Sequence, residues 1–439
     1  MSKKRTANQA KTQLAGYEYI KTVSGIEEYR LRRNGLRVLF YNRPETGVVT
    51  SNITYLVGAR DEARGETGVA HMLEHMLFKP TNFDRARGLT DSWSMNFERN
   101  TGSVLNANTW KDRTTYYFSY PTDMLDEALQ IEAERMTGVI LNDKELNPER
   151  GNVLSEFDMY NGDPDFALSV QMVSTAYHSH PYGHETIGYR EDIEDYTPAK
   201  LEKFYRDYYR PDNAVMMVVG DIDRDTALKA VKKHFSGISS PKTAIPRFSI
   251  REPKQEGLRR VTITRPSTTN LLAIGFKHSG FPSQEWFATT IMLDVLTGGA
   301  ESLLHKLLVD TGKASSVSGA IEPTSEENLG MISINLAKGQ EHEEIESLVL
   351  HAISALDKST IDNLIKKSKE QILTQELFSR QHSLKICQEL TEYVASGHWE
   401  RYEETPNILK QISTKQILQL LSKLFVESNL TIGYFKGNN

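Results

Sequence analysis

Three side chains in the segment Gly68-Val-Ala-His71-Met-Leu-Glu74-His75-Met-Leu-Phe78 have the types and spacing for joint chemistry. On a helix, residues four apart lie one turn above each other, so His71 and His75 can offer two imidazoles to one metal ion. Glu74 stands beside them, and Met72, Leu73, Met76 and Leu77 supply the apolar faces a buried helix needs. The spacing therefore predicts a helix over 68–78 that carries two metal ligands and an acid. A catalytic site of this kind needs three protein ligands and one open position for water. The third ligand is to be sought in Asn147-Pro148-Glu149-Arg-Gly-Asn-Val-Leu-Ser-Glu156-Phe-Asp158. Asn147 suits an N-cap and Pro148 a first helical position, which predicts a helix starting there. Glu149 and Glu156 then stand two turns apart on one face. Either can reach the metal, and spacing does not choose between them.

The elements that must position these residues fall into two halves. At 439 residues the chain is long enough for two or three domains. A 38% apolar and 25% charged composition supports sizeable cores. The net charge of −6 argues against a broad nucleic-acid surface. A single cysteine, Cys387, excludes an internal disulfide framework and a Cys-rich structural metal site, and it reads as a small buried hydrophobe. The first residues are basic with no apolar run behind them, so a cytoplasmic protein without a secretory signal is expected. No stretch approaches the ~20 apolar residues of a membrane span. Strand-like alternation from Glu28 to Tyr55 carries an Asn34-Gly35 turn. Helical segments follow over roughly 122–137, 148–160 and 198–208, and a strand closes the half near Gly220. The stretch 238–257 is rich in Ser, Pro and charge and reads as a linker. Beyond it a strand pair (260–264, 270–276) precedes more helices and a closing strand after Ser428-Asn429. Both halves end as helix, Asp/Ser-Asn, apolar strand, which fits an old duplication. The expected class is α+β: two related domains, each an antiparallel sheet with helices on one face. The expected boundaries are 1–22 for a flexible tail, 23–237, the linker 238–257, and 258–439.

Here the sequence resembles a known family. His71-Met-Leu-Glu-His75-Met-Leu-Phe-Lys-Pro-Thr81, Leu105-Asn106-Ala107-Asn-Thr109 with Asp112-Arg-Thr-Thr-Tyr116-Tyr117, His180-Pro-Tyr-Gly183, and Tyr209-Arg-Pro-Asp-Asn213 with Gly220-Asp occur in the order of the pitrilysin, insulin-degrading-enzyme and mitochondrial-processing-peptidase family of inverted zinc peptidases. The resemblance is strong over about 25–225 and faint beyond. It implies a zinc endopeptidase acting on peptides or unfolded segments, with Zn2+ held by His71, His75 and Glu156. It also implies Glu74 as general base and Glu149 as an auxiliary acid that orients a ligand or the water. The strand around Ser103 to Thr109 becomes the edge to which a peptide adds, with Asn106 and Ala107 nearest the scissile bond.

One part of the family pattern is missing. Active members use an Arg/Tyr pair from the C-terminal domain of the facing half, which steadies the developing oxyanion. In Gly298-Gly-Ala-Glu-Ser302-Leu303…Ala314-Ser315-Ser316, Leu303 stands where the Arg is expected and Ser315 where the Tyr is expected. The resemblance therefore implies a heterodimer with a related subunit carrying that pair, ahead of a homodimer that works without it. The rival reading is a non-catalytic, metal-binding assembly subunit. Retention of Glu74, which a purely structural metal site does not need, favours the enzyme.

Overall fold

The structure is a computed structural model and describes residues 14–44 and 46–438. Its twelve strands are β1 (Tyr17–Val23), β2 (Ile26–Leu31), β3 (Arg37–Asn42), β4 (Val48–Tyr55), β5 (Val104–Thr109), β6 (Thr114–Pro121), β7 (Ala214–Gly220), β8 (Arg259–Arg265), β9 (Leu271–His278), β10 (Ala314–Ala320), β11 (Asn328–Leu336) and β12 (Leu430–Gly437). The helices that shape the site and the cores are α1 (Val69–Met76), α2 (Leu125–Gly138), α3 (Asp143–Gly162), α4 (Pro164–Ala176), α5 (Gln284–Thr297) and α6 (Ser383–Ala395). No helix among the described residues is long and apolar enough to cross a membrane.

The contacts divide the chain into two units, each with segments from both ends of the sequence. The first holds the described residues up to Leu154, Thr186–Phe248 and Ser379–Glu403; the second holds Ser155–Glu185, Ser249–Phe378 and the described residues from Glu404 on. The class is α+β, as expected. The first sheet has the order β1-β2-β3-β7-β4-β6-β5 and the second β10-β11-β9-β12-β8. Neighbours are antiparallel except β3 with β7 and β8 with β12. Those two parallel pairs arise because each half returns its last strand into the middle of the sheet after a helix. In the second half, β12 lies between the two strands read as a pair.

Helices were expected on one face of each sheet, but the central strands are buried on both. In the first unit, β4 is buried from Val49 to Tyr55. Both α2 and α6 pack against it. The polar residues of β4 meet α6: Thr50 pairs with the Ser383 hydroxyl at 2.9 Å, and Asn52 donates to the Thr391 hydroxyl at 3.2 Å. Cys387 of α6 is fully buried, and burial pushes its thiol up. In the second unit α4 lies on β8, β9, β11 and β12, and α5 packs on β9 and β10. Gly433 of β12 gives α4 room, since a Cβ there would sit 2.5 Å from the Met172 sulfur.

Of the segment expected as a tail, residues 1–13 lie outside those described, and β1 begins inside it at Tyr17. That ring is buried, and its hydroxyl donates to the Leu228 carbonyl at 2.8 Å. The helix expected to start at Asn147-Pro148 starts instead at Asp143. Asn142 accepts the Glu145 N–H at 3.0 Å, Asn147 is taken by Arg150, and Pro148 stands inside the helix.

Candidate metal centre

Helix α1 forms as its apolar spacing predicts, burying Val69, Ala70, Met72, Leu73 and Met76. His71, Glu74 and His75 are left together on its other, half-buried face. Its start is fixed from outside the helix. Glu62 accepts the Gly68 N–H at 2.8 Å and the Ala70 N–H at 2.9 Å, satisfying two of the orphan donors with negative charge where the helix dipole favours it. Gly68 has φ +84°, and a Cβ there would collide with the Ile187 carbonyl oxygen.

One ligand atom each of His71, His75 and Glu156 lie within 4.8 Å of one another. Among the described residues this is the one group of three or more such side chains that could hold an ion. The His71 and His75 rings stand edge to face, 4.7 Å between centroids. Two imidazoles and one carboxylate fit a three-ligand site with an open fourth position. Glu149 stands behind this set, its Oε2 3.3 Å from His75 Nδ1. That pairing fixes the ring and leaves Nε2 for an ion. Lys79 and Asn152 also contact Glu149. Burial alone would raise this carboxyl, but the His75 and Lys79 hydrogen bonds and the Lys79 charge outweigh it and hold it at about 2.

Glu74 is gripped from β5, where the Thr109 hydroxyl donates to its Oε2 at 2.6 Å. The buried phenols of Tyr116 and Tyr209 stand 3.0 Å apart, and both feel the charge of the same acid. Burial pushes both well above the ordinary tyrosine range; for Tyr116 the neighbouring Tyr209 adds next and then the Glu74 charge, and for Tyr209 the Glu74 charge adds to burial. β5 is the edge of the seven-stranded sheet. On it Asn106 is exposed and Ala107 buried, and the Ala107 N–H donates to the Asn106 side-chain oxygen at 2.8 Å. Sequence reasoning gave no role to Thr109, Glu62 or Lys79. Only Lys79 had a signal, four residues after His75 on the continuation of α1.

Leu303 and Ser315 belong to the second unit. Leu303 is half-buried just before the turn of helix His305–Val309. Ser315 falls at a bulge of β10, exposed, with its hydroxyl 3.3 Å from the Asn335 carbonyl.

Residues 37–190 match the sequence model of insulinase, peptidase family M16, and residues 195–372 match the peptidase M16 inactive domain. The chain is 32% identical over 331 residues to the zinc protease PqqE of Helicobacter pylori, covering 74% of this chain and 73% of that one. It is 26% identical over 399 residues to the uncharacterized zinc protease YmxG of Bacillus subtilis, covering 90% and 95%. The fold is similar to the crystal structure of a protease from Helicobacter pylori, with TM-score 0.86, 25% identity, and 96% and 99% of the two chains covered. It is also similar to an M16-like peptidase structure from Alicyclobacillus acidocaldarius, with TM-score 0.79, 19% identity, and 98% and 100% covered. The chain belongs to the insulinase family, peptidase family M16.

Proposed function

We propose that this chain is the metal-binding subunit of a zinc-dependent endopeptidase that hydrolyses peptides or unfolded segments. The observation that carries the reading is the convergence of His71, His75 and Glu156 around one point, with an acid, Glu74, on the same helix face. The relatives named zinc proteases support zinc as the ion. When bound, zinc supplies an acidified water and polarises a substrate carbonyl. Glu74 takes a proton from the attacking water and returns it to the leaving amine. Glu149 holds the His75 ring through Nδ1. An extended peptide adds to the β5 edge through main-chain hydrogen bonds, next to Asn106 and Ala107.

With Leu303 and Ser315 in place of an Arg/Tyr pair, oxyanion stabilisation falls to a related partner subunit, making the working enzyme a heterodimer. Loss of one such donor costs on the order of 10²–10³ in rate. The test is hydrolysis of a quenched fluorescent peptide by the purified chain, alone and mixed with a related subunit that carries the pair. Slow cleavage alone, a rise of about 10² on mixing, and abolition by a chelator or by Glu74→Gln are expected. Cleavage indifferent to both the chelator and Glu74→Gln would overturn the reading. The second reading, a non-catalytic assembly subunit, draws on the stretch 298–317, which holds neither Arg nor Tyr. It predicts silence from metal-loaded protein in both mixtures.

A further inference from the structure

We infer that Thr109 is a positioning residue for Glu74, locking one carboxylate oxygen so that the other faces the attacking water. This rests on the reading of Glu74 as the base. The Thr109 hydroxyl donates to Glu74 Oε2 at 2.6 Å, a short charge-assisted hydrogen bond. A glutamate on a helix has three side-chain torsions, and its last one is broad, so an unrestrained carboxylate samples many orientations. A base is effective only where its oxygen stands within hydrogen-bond reach of the proton it removes. One firm donor on Oε2 removes that freedom at the last torsion.

The donor is itself held on a rigid element. Thr109 is the last residue of β5 and pairs with Thr114 of β6. Its neighbour Asn108 is held by the Arg113 guanidinium, and Glu392 of α6 ion-pairs with that same Arg113, whose side chain is nearly fully buried. The hydroxyl therefore reaches Glu74 from a strand end held through Asn108, Arg113 and Glu392. A valine at 109 keeps the shape and β-branching but removes the donor, and a serine keeps the donor.

Crystal structures of the full chain with Thr109, Thr109→Val and Thr109→Ser test this without depending on turnover. A single Glu74 carboxylate orientation is expected with Thr and Ser, and a rotated or multiply placed one with Val. An unchanged Glu74 in the Val variant overturns the inference, whether or not the chain cleaves peptides. In the peptidase assay kcat should fall about 10–100-fold in Thr109→Val, as for loss of a hydrogen bond to a charged group. KM and bound metal should stay within about twofold, because the hydroxyl removed contacts Glu74 and is neither a metal ligand nor part of the main chain to which a peptide adds. Thr109→Ser should restore kcat. Equal loss in both variants, or a loss confined to KM, would make Thr109 a packing residue and sink the idea. Hydrolysis indifferent to Glu74→Gln would instead fail the base assignment, and the carboxylate orientation would still decide the role of Thr109.

Discussion

A buried ionisable group is costly unless the surroundings answer its charge, and two residues here show both outcomes. Glu149 is 5% exposed, yet His75, Lys79 and Asn152 all reach its oxygens, and it stays ionised down to about 2. His278, at the end of β9, is 1% exposed and has only the Ser279 carbonyl on Nδ1, at 2.9 Å. Its Nε2 has no hydrogen-bond partner among the described residues. Burial accordingly drives its pKa down to about 4, against smaller upward pulls from Ser279 and Glu285. In the unfolded chain the same imidazole titrates near 6.5. Between those values the unfolded state binds more protons, so stability is complete above about 6.5 and drains away as pH falls toward 4. Between pH 7.5 and 5 the loss should be about 2 kcal/mol. Urea unfolding at the two pH values should show this loss in the wild type and a much smaller one in His278→Gln. The same loss in both proteins would mean that other groups carry the acid sensitivity.

At the scale of elements, α1 is a short helix whose position depends on its first turn. It has eight residues, too few to hold its place by propensity, so the Glu62 cap and the Gly68 turn decide where His71 and His75 stand. Gly68→Ala should cost about 2 kcal/mol or more, because it adds left-handed strain to a collision with the Ile187 carbonyl. It should also weaken metal affinity, measured by competition with a chelating dye. Wild-type stability and affinity in that variant would show that the turn does not set the site. The helix itself was legible in the sequence, because three polar residues at i, i+3 and i+4 on an apolar helix leave only one face for them. The third ligand was not. Glu149 and Glu156 share a face of α3, and which one reaches the histidines depends on the height at which α3 passes α1. The start of α3 was misread because Asn142 and Asn147 are equivalent caps on paper, and the competition is settled by which one accepts a backbone N–H. Strand β10 is hard to foresee because Ala-Ser-Ser-Val-Ser-Gly-Ala has almost no apolar alternation to read, whereas β11 carries a readable alternation in Ile332-Ser-Ile334-Asn-Leu336 that the reading passed over.

At the scale of the molecule the two sheets repeat one plan. The run β3-β7-β4-β6-β5 corresponds strand for strand to β8-β12-β9-β11-β10, including the single parallel pair, with β1 and β2 added to the first. The same cap precedes each closing strand. Asn213 donates to the Tyr208 carbonyl and Asn429 to the Leu424 carbonyl, both five residues back and both at 2.9 Å. The halves are not independent in sequence, however. α4, from the first half, covers the second sheet, and α6, from the second half, covers the first. Sequence reading assumed that each half covers its own sheet, and local patterns carry no mark of such an exchange. The stretch between Phe235 and Arg259 contains no helix or strand and is mostly exposed, so a protease should cut there first. A nick in it severs the chain but leaves α4 and α6 packed on their sheets. Removing them would expose buried surface such as Met172 on one sheet and Cys387 on the other, at about 25 cal/mol per Å² of apolar area. Protein nicked within 238–257 should therefore run as one species on size exclusion in native buffer. It should separate into two fragments only in denaturant, and neither fragment should refold alone. Two separate, folded fragments in native buffer would show that the exchanged helices are dispensable and that each half is a domain in its own right.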